Sequence, residues 1–134
     1  MTVHNVFGPV DIAVSGMRAQ GQHMEVISSN IANARTADTG QGQPYRRLET
    51  IFRTQQEGVS GVVVDQVVPD QSAMPRIYDP GNPKADASGY IIMPNVHMPV
   101  EMMNLSIASR SYQANAAILK RYQRMVETTL ELLR

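Results

Sequence analysis

The stretch PVEMMNLSIASRSYQANAAILKRYQRMVETTLELLR, residues 99–134, decides the fold. Leu105, Tyr112, Leu119, Val126 and Leu133 recur every seven residues, and Ala108, Asn115, Tyr122 and Thr129 follow the first four at an offset of three. This is the a/d pattern of a coiled-coil helix. A second row, Ile118, Met125 and Leu132, widens the apolar stripe beyond what one partner helix covers, so the helix is expected to have several neighbours. Pro99 suits a first helical turn, where its missing N–H costs nothing, and Glu101 places negative charge at the positive end of the helix dipole. No Gly or Pro follows to the end of the chain. At about 1.5 Å per residue, roughly 34 residues make a rod about 50 Å long. A helix of that length needs packing partners.

Working outward, the opposite end of the chain repeats the pattern. Met1 to Gly8 is expected to be extended or a single helical turn. Pro9 can begin a helix, and Phe7, Val10, Val14, Met17, Met24 and Ile31 fall on helical spacing once Gly21 and Ser28 count as small members of the row. The reading is an amphipathic helix over about 9–34, with Ala13, Gly16, Ala19 and Gly21 permitting close approach of another backbone at some cost in helicity. Between the helices the period changes. Residues 36–42 are polar and Gly-containing, a loop. Residues 45–54 and the β-branched run 61–68 read as strands, 76–78 and 90–93 as two more, and DPGNPKADASG at 79–89 as a turn. The fold class is α+β, with long N- and C-terminal helices forming a coiled-coil-like pair around a small hairpin-rich insert. The expected division is 1–36, 37–98 and 99–134. The insert is too small to bury much by itself.

Composition narrows the function. The net charge is +0, from 12 basic and 12 acidic residues, and only 18% of the chain is charged, so nothing draws it electrostatically to nucleic acid or an anionic membrane. Cysteine is absent, which removes disulfides and thiol chemistry. Nine Met beside no Trp suit apolar surfaces that adapt to neighbours. Apolar runs are too short for membrane insertion, and Asp11 and Ser15 interrupt any signal-like stretch. His4, His23 and His97 are scattered without ligand spacing. Ser15-Gly16 and Ser60-Gly61 lack a nucleophile-elbow context, residues 58–61 lead to no Gly-Lys-Ser/Thr, and Asp65 and Asp70 have no evident third partner. No catalytic, cofactor or metal site is expected.

Ser29-Asn30-Ile31-Ala32-Asn33-Ala34 at the end of the first helix resembles the signature shared by bacterial flagellar rod, hook and hook-associated proteins. GQGQPYR (40–46), YDPGNPKADASGY (78–90), MPNV (93–96) and EMMNLSIASRSYQAN (101–115) extend the resemblance to rod subunits of the basal body. The resemblance implies a structural subunit of the proximal rod, assembling helically into a hollow shaft that transmits torque and conducts exported subunits. It implies export by the flagellar type III apparatus without a cleaved signal peptide, and a periplasmic location in the basal body. The implied partners are copies of the chain, other rod proteins of FlgB, FliE and FlgF types, and, as a further candidate, the membrane ring protein. Another rod subunit or a soluble coiled-coil adaptor is the alternative.

The candidate subunit-packing residues are Val10, Val14, Met17, Met24 and Ile31 on the first helix. On the second they are Leu105, Ala108, Tyr112, Asn115, Ile118, Leu119, Tyr122, Met125, Val126 and Leu133. Asn30 and Asn33 are expected to bond backbone groups at the helix end and in the loop after it. Asn115, polar within the seam, is expected either to pair between subunits or to lie on the helix surface. Tyr112 and Tyr122 are expected to face the core. Arg110, Lys120, Arg121 and Arg124 read as a solvated face.

Overall fold

The computed structural model describes residues 8–55 and 61–133. In chain order these form α1 (Gly8–Ala32), β1 (Leu48–Thr54), β2 (Val62–Pro69), β3 (Arg76–Tyr78), β4 (Tyr90–Ile92) and α2 (Met98–Leu132). The opening segment before Gly8, including Phe7, and the final Arg134 lie outside the described residues.

Local chemistry sets both ends of α1 and the start of α2. Pro9 and Asp11 occupy the first turn of α1, where a missing N–H and a negative charge are both tolerated. At its other end the Asn33 N–H (3.0 Å) and side-chain Nδ2 (2.9 Å) both donate to the Ser29 carbonyl, and Thr36 N–H bonds the Asn33 carbonyl at 3.0 Å. With Ala34 N–H on the Ile31 carbonyl at 3.3 Å, two carbonyls of the last turn, those of Ser29 and Ile31, are thereby paired. His97 is extended before α2, Pro99 sits in its first turn, and Glu101 N–H donates to the His97 carbonyl at 3.0 Å.

The helices run antiparallel, because Asn30 of α1 meets Glu101 of α2 while Gly16 lies against Asn115. Their deepest positions are mostly small: Ala13, Gly16 and Ala19 on α1 and Ala108 on α2, with Ile27 the one large apolar side chain among them. Small residues let the two backbones approach closely. The row of Val10, Val14, Met17, Met24 and Ile31 is therefore half-buried at the flanks of this contact rather than at its centre.

The insert is two antiparallel hairpins in separate sheets, β1–β2 and β3–β4. Leu48 pairs with Pro69 and Thr54 with Val62; the register shifts between Ile51 and Phe52, leaving Asp65 as the extra residue. Its carboxylate receives a hydrogen bond from Arg53 Nε at 2.8 Å across the hairpin. This hairpin lies along α1: Leu48 meets Asn30, the Phe52 ring meets the His23 ring edge-on at 5.3 Å, and Val62 N–H donates to Ser15 Oγ at 3.1 Å. In β3–β4 only Ile91 is buried. The turn joining these strands closes on Asp86, whose Oδ1 accepts from Ser88 N–H and Tyr90 N–H, and on Gly89 at φ 80°. A side chain at Gly89 would also press on the Tyr78 ring, 2.9 Å from the added carbon.

Two glycines of α1 separate packing from propensity. A Cβ at Gly16 would stand 2.7 Å from Asn115 Nδ2, whereas nothing lies within 4 Å of one at Gly21. In urea denaturation followed by circular dichroism, Gly16→Val should lower stability by about 1–3 kcal/mol through overpacking. Gly21→Ala should raise it by about 0.5–1 kcal/mol through helix propensity.

Candidate assembly interface

Two regions stand out: a buried polar junction where the insert joins the helices, and an uncovered apolar face along α2. The junction centres on Glu101, a side chain 1% exposed on the first turn of α2. Its Oε2 accepts from Asn30 Nδ2 at 3.0 Å and its Oε1 from Arg47 Nε at 2.7 Å. Asn30, equally buried, satisfies all of its amide: Nδ2 also donates to the Leu48 carbonyl, and Oδ1 accepts from Leu48 N–H and Tyr45 OH, each at 2.9 Å. Arg47 Nη1 reaches Glu49 and, at 3.2 Å, Asp70. Asn95 accepts from Arg47 N–H at 2.9 Å and donates to Ser72 Oγ at 2.8 Å. The ends of α1 and β2 and the starts of β1 and α2 thus share one hydrogen-bonded cluster. A buried charge is tolerated only when paired and bonded in this way.

The electrostatics follow from these contacts. Burial works against the Arg47 charge, but its hydrogen bonds to the Glu101, Glu49 and Asp70 carboxylates prevail and hold its pKa above the ordinary guanidinium value. Burial lowers the pKa of His23, opposed by the nearby Glu101 and reinforced by Arg47. On the exposed edge of the insert, Asp38 links two loops. Its Oδ2 accepts from Lys84 Nζ at 2.8 Å, and its Oδ1 accepts from the N–H groups of Gly40 (2.8 Å) and Gly42 (2.9 Å). These bonds, that of Lys84 foremost, lower its pKa to about 2.

The sequence-derived packing residues divide along α2. Ala108 is buried and Leu105, Asn115, Leu119 and Tyr122 are half-buried, while Tyr112, Ile118, Met125, Val126 and Leu133 are exposed. The 35-residue α2 outruns the 25 residues of α1, a difference of about 15 Å at the helical rise. Ile118, Met125 and Leu132 are 46, 56 and 82% exposed, and Leu130 and Leu133 are open beside them. Asn115 is half-buried and lies against Gly16 of the same chain. Asn33 bonds the helix end as expected, but Asn30 reaches across to β1 and α2. Ser29 Oγ is 3.4 Å from Tyr45 OH, Ile31 is half-buried and Ala32 is exposed. Arg110, Lys120, Arg121 and Arg124 are all exposed. Sequence reasoning missed Glu101, Arg47, Tyr45 and Asn95 as junction residues. The available signal was that Glu101 falls seven residues before Ala108 and so extends the row that runs on to Asn115 and Tyr122.

Among the described residues no group of three His, Cys, Asp or Glu side chains could hold a metal ion, and no helix is long and apolar enough to cross a membrane. Comparison with known proteins gives the context. Residues 11–38 match the family model described as flagella basal body rod protein, and residues 87–132 match flagellar basal body rod FlgEFG protein C-terminal. The chain is 42% identical to the flagellar basal-body rod protein FlgC of Salmonella typhimurium, with 98% of each chain covered. It belongs to the FlgC family of flagellar basal-body rod proteins. Identity to FlgC of Agrobacterium fabrum is 40%, covering 92% of this chain and 91% of the relative, and to FlgC of Buchnera aphidicola from Acyrthosiphon pisum 38%, covering 98% of each. The protein is a structural rod subunit of the flagellar basal body. In this FlgC-family chain the two family models fall on α1 with its following loop and on β4 with α2. Both helical partners of the junction, Asn30 and Glu101, therefore lie inside the matched segments.

Removing the Asn30 amide by Asn30→Ala leaves the Leu48 N–H and carbonyl and one Glu101 oxygen without their partner, and Tyr45 OH with only its longer contact to Ser29 Oγ. The expected loss is about 2–5 kcal/mol in chemical denaturation. Asp38 has a folded pKa below its unfolded value, so its stabilising contribution is complete above the ordinary carboxylate range and lost as pH falls towards 2. Lys84→Met should move the Asp38 titration, read by carboxyl-carbon NMR, towards higher pH. His23 is depressed in the opposite chemical sense: its proton binds more readily to the unfolded chain, so stability should fall as pH drops through the ordinary imidazole range. His23→Gln should flatten that part of the pH–stability curve.

Proposed function

We propose that α2 is the surface through which copies of this chain and other rod proteins pack into the proximal rod. The carrying observation is the Ile118, Met125 and Leu132 row, which α1 leaves uncovered and which continues into Leu130 and Leu133 at the end of the helix. Such a long apolar face on one helix is what protein–protein association covers. In this reading residues 1–36 and 99–134 form an inner coiled-coil domain and residues 37–98 an outer one. A contact between unlike faces whose rotation does not close generates a helical array, here a hollow shaft that transmits torque and conducts exported subunits across the periplasm. The partners are further copies of the chain and rod proteins of FlgB, FliE and FlgF types, with the membrane ring protein at one end. The type III apparatus exports the chain without signal cleavage, and the far end of α2 gains its full order on packing with neighbours. The role is mechanical, with no reaction catalysed.

The test is complementation of a strain lacking the gene. Ile118→Asp with Met125→Asp places two charges in the uncovered row, where the isolated fold has no need of either side chain. Swimming and rod assembly, scored on purified basal bodies by electron microscopy, should be lost while the helix content of the isolated chain is unchanged. Gln113→Glu, also exposed on α2, should swim. Normal swimming by the double variant would remove the α2 packing assignment.

A further inference from the structure

We infer that one buried hydrogen bond, Asn30 to Glu101, and one steric notch, Gly16 facing Asn115, set the register of α2 against α1. The need for such a device arises from the small residues of the helix pair. Gly16 and Ala108 offer little relief, so apolar packing alone discriminates weakly between one sliding position and the next. A slip of one heptad would bring Ala108 from the level of His23 to that of Gly16, small on small and without a clash. The same slip would carry Glu101 from Asn30 to the level of His23, the residue seven positions earlier in α1. Glu101, 1% exposed, would then lose the Asn30 amide while still buried. At the second contact Gly16 forms a notch, since any Cβ there would stand 2.7 Å from Asn115 Nδ2. A slip would leave Asn115 over a residue that has a side chain.

Both contacts specify one alignment, because the interval from Gly16 to Asn30 equals that from Glu101 to Asn115. Glu101 and Asn115 belong to one row of α2, with Ala108 between them. Buried polar groups that fix register at some expense in stability are the best-attested use of such groups in paired helices. The register stands on contacts within one chain and does not depend on the assembly reading; it determines which height of the Ile118, Met125 and Leu132 row is offered to a neighbour. Glu101, Asn30, Asn115 and Gly16 are positioning residues.

The chain has no cysteine, so Gln22→Cys and Gln123→Cys, both at exposed positions, provide a unique pair of spin-label sites for pulsed electron paramagnetic resonance on the full-length protein. The pair is offset along the helix axis, so sliding changes the distance directly. The parent should give one narrow distance. Asn30→Leu with Glu101→Met removes the first contact without leaving a buried charge, and Asn115→Ala removes the second. Each should retain helix content by circular dichroism and add a second distance displaced by about 10 Å, seven residues of helical rise. A displaced distance in either folded variant supports the inference. An unshifted distance in every variant that keeps its helix content overturns it. Loss of helix content in both variants overturns it as well, since the contacts would then be stabilisers and not register devices, as does a parent with no defined distance. Swimming assays on the α2 surface are unaffected by any of these outcomes, so the assembly reading is judged separately.

Discussion

The constraint on which the structure depends is the burial of one carboxylate, that of Glu101, at the first turn of a 35-residue helix. An isolated charge in that position would be too costly to keep. It is kept because Asn30 and Arg47 each supply a donor and because both donors are braced in turn, Asn30 by Leu48 and Tyr45, Arg47 by Glu49 and Asp70. The bracing groups, Tyr45, Leu48, Glu49 and Asp70, lie at the two ends of the β1–β2 hairpin. The start of α2 is consequently tied to the end of α1 at the same place where the insert is hung. The side-chain hydrogen bond from Asn30 to Glu101 spans 71 residues of chain.

From that fixed point the character of α2 changes along its length. Glu101 and Ala108 are buried, Asn115 and Leu119 half-buried, and from Met125 onward the side chains are open. One face of the first half packs on its own chain through Glu101 and Ala108, while Val100, Met102, Met103 and Ile107 on its other faces are exposed. The second half carries large apolar side chains that nothing in the described chain covers.

The insert is held by local turn chemistry more than by a core. Asp86 organises the turn between β3 and β4 through the N–H groups of Ser88 and Tyr90, and Asp38 organises the loop after α1 through Gly40 and Gly42. Lys84 joins the two loops by its bond to Asp38. Arg76 lies 5.1 Å over the Tyr90 ring, which packs edge-on against Tyr78. Apart from the Lys84–Asp38 link, which spans 46 residues, these are short-range interactions within single turns or one hairpin, and they give a defined shape to a region with few buried apolar side chains.

The sequence by itself determined the element order, both long helices, the two hairpins and the 79–89 turn. Apolar period, proline position and turn composition act within a few residues, so each can be read where it stands. It also determined the family, because the motifs around Asn30, Tyr45, Asn95 and Glu101 are contiguous strings. Only the tertiary structure decided that those four residues meet, since their partners lie far apart in the chain. Glu101 reads locally as a charge suited to a helix dipole, and its burial follows only from the approach of α1. Likewise α2 carries adjacent apolar rows, and residue type does not rank them; contact with the small face of α1 covers the row through Ala108 and leaves the row through Ile118 open. Asn115 reads as a polar interruption until Gly16 is brought against it. The reason is common to all three: periodicity fixes which residues share a face, and the shape of the opposing surface fixes which face is buried.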